Sequence, residues 1–188
     1  SDTALVTLKS FQRNGGYRED GLKEYVGTFK EEQVVKEGDL IVAFTDVTQS
    51  ADVIGKPAIV IDNPKYSKLV ISLDVGVIRT EKSSSLSKNF IYFLMLSKRY
   101  ASNSLAFTNG TNVLHLDKKA ITDFVFCLPP NKLLEKFNQI SSEILKKIST
   151  NTHENKILKD LRNVILPKFI SGELKIPNDE KKVMRTDI

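Results

Sequence analysis

Four short polar stretches hold the side chains best suited to sequence-specific hydrogen bonding: in chain order they are Gln12–Arg18, Thr45–Ser50, Lys98–Tyr100 with Asn103, and Thr108–Asn112. Arginine, asparagine and glutamine present donors and acceptors in pairs, which is the geometry that the edges of guanine and adenine require. Glycines at 15, 16 and 110 would permit a close backbone approach. Polar stretches with glycine are equally typical of ordinary surface loops, so both interpretations stay open. The candidate contact residues are Arg13, Asn14, Tyr17, Arg18, Thr48, Gln49, Lys98, Arg99, Asn103, Thr111 and Asn112.

Residues for catalysis are harder to assemble from this sequence. His115 and His153 lie far apart and are accompanied by one cysteine, so they do not predict a metal site. A phosphate loop of the form Gly-x-x-x-x-Gly-Lys-Ser/Thr is absent. Pro129-Pro130 follows Leu128 and precedes Asn131, unlike the Asn-Pro-Pro-Tyr or Asp-Pro-Pro-Tyr tetrapeptide that methyl transfer would need. We therefore expect a protein that is not an enzyme and that needs no metal and no cofactor.

The single cysteine and the hydropathy indicate the compartment. Cys127 excludes an internal disulfide and fits a reducing cytoplasm. It lies in the apolar run Phe124–Leu128, which predicts a buried side chain. No segment approaches the roughly 20 apolar residues of a membrane span. We expect a cytoplasmic protein without membrane contact.

The charge of the chain is unevenly distributed. The net charge of +5 is compatible with nucleic-acid binding but is not diagnostic of it. Residues 1–130 hold 16 Lys and Arg against 15 Asp and Glu, whereas residues 131–188 hold 12 against 8. The first part is therefore no uniformly basic clamp, and its attraction to phosphates is predicted to be weak.

Up to Pro130 the pattern predicts an α+β fold: a mixed, curved β domain with short helices. The predicted strands are short, apolar and bounded by Gly, Pro and Asn. Ser87 is predicted to cap a helix that runs to about Ala101. The predicted strands are Leu40–Phe44, Ala58–Ile61, Leu69–Leu73, Val75–Arg79 and Asp123–Leu128.

From Asn131 the pattern changes to that of a long helix. Apolar residues recur every three or four positions, except for one gap at Asn151 and Asn155, which predicts a helix of about 54 Å over residues 131–166, ending before Pro167. Residues 149–152 could instead break it into a hairpin, but the continuous rod is preferred. So long a stripe needs another helix to cover it, and two asparagines in it could set the register. The predicted interface residues are Phe137, Ile140, Ile144, Ile148, Asn151, Asn155, Leu158, Leu161 and Ile165.

Five segments, taken in order, resemble the specificity subunits of type I restriction–modification systems. The strongest is Leu161–Leu174, which follows the family's Leu-x-x-hydrophobic-Leu-Pro-x-Leu-x-Ser-Gly-Glu ending closely. Together the segments span about residues 37–176. The other four are Glu37–Ala43, Ile54–Ala58, Asn109–Leu116 and Phe126–Pro130.

The resemblance implies a non-catalytic subunit that recognises a split DNA site. In this family two target-recognition domains are separated by two long antiparallel helices, which also hold methyltransferase subunits. This chain would be one half: a target-recognition domain at 1–130, a spacer helix at 131–176 and a polar tail at 177–188. It departs from the family in having no second recognition domain and no usual lead-in before the first strand.

The resemblance also implies the partners. They are double-stranded DNA, the methyltransferase (modification) subunits and the restriction (translocase/nuclease) subunit. A half-subunit would regain the family's antiparallel coiled coil by forming a homodimer through its long helix. The alternative hypothesis is a coiled-coil adaptor that binds protein and has no DNA specificity.

Overall fold

A computed structural model of the chain describes residues 2–48, 50–81, 84 and 86–175. It has the predicted α+β organisation, with open, curved sheets and a long C-terminal helix. Gln49 and the predicted polar tail lie outside the described residues. The described strands are β1 (Thr3–Val6), β2 (Lys23–Glu24), β3 (Val34–Val35), β4 (Leu40–Ala43), β5 (Thr45–Asp46), β6 (Pro57–Ile59), β7 (Lys68–Ile71), β8 (Val75–Ile78), β9 (Thr108–Asn109) and β10 (Leu114–Leu116). The described helices are α1 (Lys88–Met95), α2 (Lys98–Ala106), α3 (Lys119–Thr122) and α4 (Asn131–Ile170).

The described strands form three small sheets. The first has the order β2-β1-β7-β3, in which β1 runs parallel to β7 and the other neighbours are antiparallel. The second, β6-β4-β8, and the third, β5-β10-β9, are antiparallel throughout. β4 is the central strand of its sheet and all its residues are buried, which explains its unbroken apolar run.

Four of the five predicted strands are confirmed, with ends that differ by a residue or two. The sequence did not predict β1. β1 is completed by tertiary pairing, since Thr3 lies beside Lys68 and Val6 beside Ile71 of β7. Its alternate residues Ala4 and Val6 are fully buried, as expected for a strand with one face on the core.

The fifth predicted strand, Asp123–Leu128, is wrong, because these residues form no strand. The rings of Phe124 and Phe126 stack with their centroids 6.3 Å apart, while Val125 is 76% exposed. The segment is thus held by aromatic side chains rather than by a backbone ladder. The prediction that Cys127 is buried is also wrong: its side chain is exposed, because the aromatic neighbours take the inner positions.

The helix predicted from Ser87 to about Ala101 is in fact two helices. Ser87 caps α1 as predicted, since its hydroxyl accepts a hydrogen bond from the Phe90 N–H at 3.0 Å. Ser97 caps α2 by accepting from the Tyr100 N–H at 3.2 Å. The backbone at Ser97 is extended (ψ 148°), so a second capping residue inside the apolar run separates the helices.

α4 is one continuous helix, as the preferred interpretation predicted. The predicted end before Pro167 is wrong, because Pro167 lies inside the helix, within its last turn. A proline there removes one backbone hydrogen bond close to a terminus where carbonyls lack helical partners anyway. The helix stops before Gly172, whose φ of +74° is the left-handed conformation typical of a C-terminal cap. The glycine of the Ser-Gly-Glu ending therefore has a structural role.

The N-terminal turns of α4 dock on α1. Phe137 contacts the rings of Phe90 and Phe93, with each pair of ring centroids 5.7 Å apart and nearly perpendicular. The hydroxyl of Ser87 donates a hydrogen bond to the side chain of Asn138 at 2.5 Å. Phe137, which was predicted to lie in the interface with another long helix, packs here on the aromatic rings of α1.

Beyond Phe137 the apolar stripe of α4 is largely exposed. Leu134 and Ser141 are buried, whereas Ile140, Ile144 and Ile148 are 58, 45 and 46% exposed. Of the other predicted interface residues, Asn151, Asn155, Leu158 and Leu161 are exposed and Ile165 is intermediate.

The compact units of the chain divide at a different place from the predicted domains. The division falls between Glu143 and Ile144, whereas the change of sequence pattern falls after Pro130. The domain boundaries drawn from the sequence stay predictions. Within the described residues, no helix combines the length and the apolar composition needed to cross a bilayer.

We expect Phe137→Ala to lower the free energy of unfolding by about 2–3 kcal/mol, because it removes two aromatic contacts and leaves a cavity beside α1. Urea denaturation followed by circular dichroism measures this change. The control is Lys136→Ala, an exposed position on the same helix, which should change stability by less than about 0.5 kcal/mol. Equal effects of the two substitutions would show that the aromatic docking contributes nothing specific.

Candidate nucleic-acid interface

The first polar stretch forms a tight loop, residues 12–16, held between two core residues. Phe11 and Tyr17 pair across its base and are both buried. The side-chain amide of Gln12 donates to the Tyr17 carbonyl at 3.2 Å, and the Gln12 N–H donates to the Gly16 carbonyl at 3.0 Å. The buried aromatic pair fixes the base of the loop, so its tip is held in a defined place.

Two glycines bring this loop against another part of the chain. Gly15 and Gly16 have φ of +89° and +108°, which other residues adopt only with strain. The Gly16 N–H donates to the Pro57 carbonyl at 2.9 Å, and a Cβ on Gly15 would collide with the side chain of Leu96. The close backbone approach predicted at these glycines is therefore made to the protein's own β6 and α1–α2 junction.

The carboxylate of Asp46 organises the connection between β5 and β6. Asp46 is fully buried. Its Oδ1 accepts hydrogen bonds from the N–H and the hydroxyl of Thr48, both at 2.7 Å. Its Oδ2 accepts from the N–H groups of Val53 at 2.6 Å and Ile54 at 3.0 Å. We call this arrangement the Asp46 clasp.

The clasp keeps its carboxylate charged. Burial alone would raise the pKa of Asp46, but the hydrogen bonds from Val53, Thr48 and Ile54 outweigh burial and hold the pKa below its usual value. Ala51, inside the connection, has a φ of +53°, a conformation rare for a residue other than glycine. The clasp thus holds a backbone shape that the local sequence would not adopt by itself.

Asp52 connects the Asp46 clasp to the first loop. Its N–H donates to the Thr48 hydroxyl at 3.1 Å, and its Oδ2 lies 3.4 Å from Nε of Arg13. The side chain of Asp52 is 21% exposed and that of Arg13 is 83% exposed. This ion pair links the first stretch, through Asp52 and Thr48, to the second, with the arginine on the outside.

The β9–β10 turn, residues 110–113, adds the fourth stretch. β10 pairs with β5 in a register that sets Leu114 beside Asp46, so the turn ends next to the clasp. Gly110 has a φ of +112°, and a Cβ there would collide with the Val113 carbonyl. Thr111 and Asn112 are exposed at this turn, as Asn14 is in the first loop.

The third stretch, at the start of α2, is directed largely at the protein itself. Lys98 is exposed. The guanidinium of Arg99 lies over the Phe124 ring, 5.8 Å from its centroid, and the Asn103 amide donates to the Ala120 carbonyl at 2.9 Å. Arg99 and Asn103 therefore help to hold α3 and the segment after it.

Three more candidate residues have structural partners. Tyr17 is 6% exposed and belongs to the core, so its predicted surface role is wrong in this structure: its large ring stabilises the loop base by burial. Thr48 uses its hydroxyl inside the clasp. Arg18 forms a two-point contact with Asp20 at 3.0 and 2.9 Å.

Asp46 and Asp52 are the residues that sequence reasoning missed. Asp46-Val47-Thr48 has the Asp-x-Thr spacing in which a carboxylate accepts the N–H two residues on, so the start of the clasp was open to prediction. The contacts of Asp46 with Val53 and Ile54, and of Asp52 with Arg13, have no such local signal. Among the residues that the structure describes, no three His, Cys, Asp or Glu are grouped to bind a metal ion.

The comparison with known proteins gives one distant relative to set beside this geometry. The chain is 28% identical over 94 residues to the type I restriction enzyme MjaIX specificity subunit of Methanocaldococcus jannaschii. The match covers 50% of this chain but only 22% of that protein. No protein-family model matches the chain. The chain is thus similar to part of a specificity subunit, in agreement with the resemblance of its motifs.

We expect Asp46→Asn to lower the free energy of unfolding by about 3 kcal/mol at pH 7. The new side-chain N–H₂ group would face N–H groups that now donate hydrogen bonds to the carboxylate, so some of these donors would lose their acceptor. The lowered pKa of Asp46 means that its stabilisation is present above its ordinary pKa of 3.8 and is lost as the pH falls through the lower folded value. The difference between wild type and variant should therefore shrink below about pH 4.

Urea denaturation at pH 7 and pH 3 measures both effects. The control is Asp123→Asn, an exposed carboxylate, which should change stability by less than about 0.5 kcal/mol at pH 7. A stability difference between wild type and Asp46→Asn that is unchanged at pH 3 would contradict the charged clasp.

Proposed function

We propose that this protein is the DNA sequence-recognition subunit of a type I restriction–modification complex. It would direct methyltransferase and endonuclease subunits to a split DNA site and catalyse nothing itself. The observation that carries the proposal is the meeting of three separate polar stretches around the Asp46 clasp. The similarity to part of a named specificity subunit supports it.

The joined loops suit direct reading of bases. Base readout needs exposed donors and acceptors whose backbone is already fixed, because ordering a mobile loop on binding costs free energy. Arg13, Asn14, Thr111 and Asn112 meet this condition, since they are exposed on loops that the clasp, the β5–β10 pairing and two glycines hold in place. Lys98 remains a candidate, and Arg18, Arg99 and Asn103 would need to exchange a present partner for DNA.

The charge distribution favours a partner enzyme at the DNA. A net charge of +1 over residues 1–130 supplies little attraction to the phosphate backbone, which provides most of the affinity of many DNA-binding proteins. Methyltransferase subunits would supply the remaining phosphate contacts. The restriction subunit would join the same complex, which acts in the cytoplasm.

The stripe on α4 supports a homodimer. Ile144, Ile148, Leu158 and Leu161 are each 45 to 61% exposed, and an apolar stripe in water is a site of association. Two copies related by a two-fold axis would form an antiparallel coiled coil with Asn151 and Asn155 near its middle. Such a dimer would read two inverted half-sites separated by a fixed gap.

The lone chain should bind duplex DNA weakly, and adding its methyltransferase subunits should give tight binding that protects one DNA sequence. Fluorescence anisotropy at moderate salt, with a scrambled duplex as control, measures both states. Nanomolar, sequence-specific binding by the lone chain would contradict the proposal that methyltransferase subunits supply most of the phosphate contacts. A complex that coelutes with the methyltransferase but selects no sequence would favour the alternative, a protein-binding coiled-coil adaptor.

The wild-type chain should sediment as a dimer at tens of micromolar, whereas Ile144→Asp with Leu158→Asp should sediment as a monomer, because two charges would be buried in the seam. Sedimentation equilibrium decides between the two states. A substitution of the same kind on a polar position, Lys147→Asp, is the control and should leave the dimer intact. A monomeric wild type would rule out the homodimer.

A further inference from the structure

Arg13 differs from the other arginines in residues 1–130 in how its guanidinium is engaged. The other three, Arg18, Arg79 and Arg99, are occupied by Asp20, by the Glu32 carbonyl and by the Phe124 ring respectively. Arg13 approaches Asp52 through Nε, and among the described residues no hydrogen bond engages its two terminal nitrogens. The outer edge of its guanidinium therefore faces outward with both donors available.

The carboxylate that meets Arg13 is itself held in place. Asp52 is only 21% exposed, and its backbone is fixed by Thr48, which is fixed in turn by the buried Asp46. An ion pair this exposed on the arginine side adds little to folding stability. It does limit the orientations of a long side chain, which lowers the entropy cost of a contact made by its outer edge.

We propose that Arg13 reads a guanine in the target site and that Asp52 is its positioning residue. The inference rests on the proposed function and adds to it one base and the pair of side chains that selects it. The two terminal nitrogens of a guanidinium match O6 and N7 of guanine in the major groove, whereas adenine offers a donor where guanine has O6. A carboxylate on Nε leaves that outer edge free while fixing its direction.

The test maps methylated sites with the assembled methyltransferase complex carrying each variant. Arg13→Ala should reduce discrimination at one guanine position by about tenfold or more, with the other positions unchanged. Asp52→Asn should relax the same position to a smaller extent, and the double variant should be no worse than Arg13→Ala alone. That non-additivity distinguishes positioning through Arg13 from a general structural defect.

The matched controls come from another exposed ion pair, Lys65 with Glu24 at 2.9 Å. Lys65→Ala and Glu24→Gln should leave every position of the site unchanged. The inference is overturned if Arg13→Ala relaxes no position, relaxes a base other than guanine, or weakens all sequences equally as a phosphate contact would. A wild-type complex that methylates no defined sequence would overturn the proposed function and, with it, this inference.

Discussion

A buried carboxylate is tolerated only when hydrogen bonds satisfy it, and Asp46 meets this condition with donors from both ends of one connection. The charge of Asp46 thereby forces Thr48, Val53 and Ile54 around a single point. The position of Asp52 and its contact with Arg13 follow from this constraint, and the pairing of β10 with β5 brings the end of the β9–β10 turn to the same place. The candidate interface therefore depends on a residue that is itself inaccessible to any ligand.

The long helix combines a short docking contact with an exposed apolar stripe. The docking contact is short and specific. Phe137 packs against two rings of α1, and the Asn138 side chain accepts a hydrogen bond from the Ser87 hydroxyl that also caps α1. Its apolar stripe is long and regular and remains exposed. The stripe is suited to association with another helix, which fits the proposed arrangement of two recognition domains on a coiled coil.

The distribution of polar groups separates residues that read from residues that support. Arg99, Asn103 and Thr48 have side chains suited to base contacts, but each contacts another residue of the protein: Phe124, Ala120 and Asp46 respectively. Arg13 contacts Asp52 through Nε but is otherwise exposed, and Asn112 is exposed. Similar side chains thus take different roles according to whether a partner within the fold lies in reach.

Features that depend on residues close together in the chain were predictable before the structure was known. Four strands, the cap at Ser87 and the long helix were predictable, because periodicity, capping and the absence of Gly or Pro act over a few residues. The polar stretches were recognisable for the same reason. The failures also have local causes: a second cap at Ser97 divides one helix, and Asp123–Leu128 has a strand's composition but no neighbouring strand.

Contacts between distant parts of the chain decide which polar stretches come together. β1 needed β7 to complete it, Tyr17 needed a core to enter, and the contact between Asp52 and Arg13 needed two distant loops to meet. These contacts join residues far apart in sequence, so no local pattern encodes them. Their physical basis is the requirement that each buried polar group find a partner wherever the chain brings one.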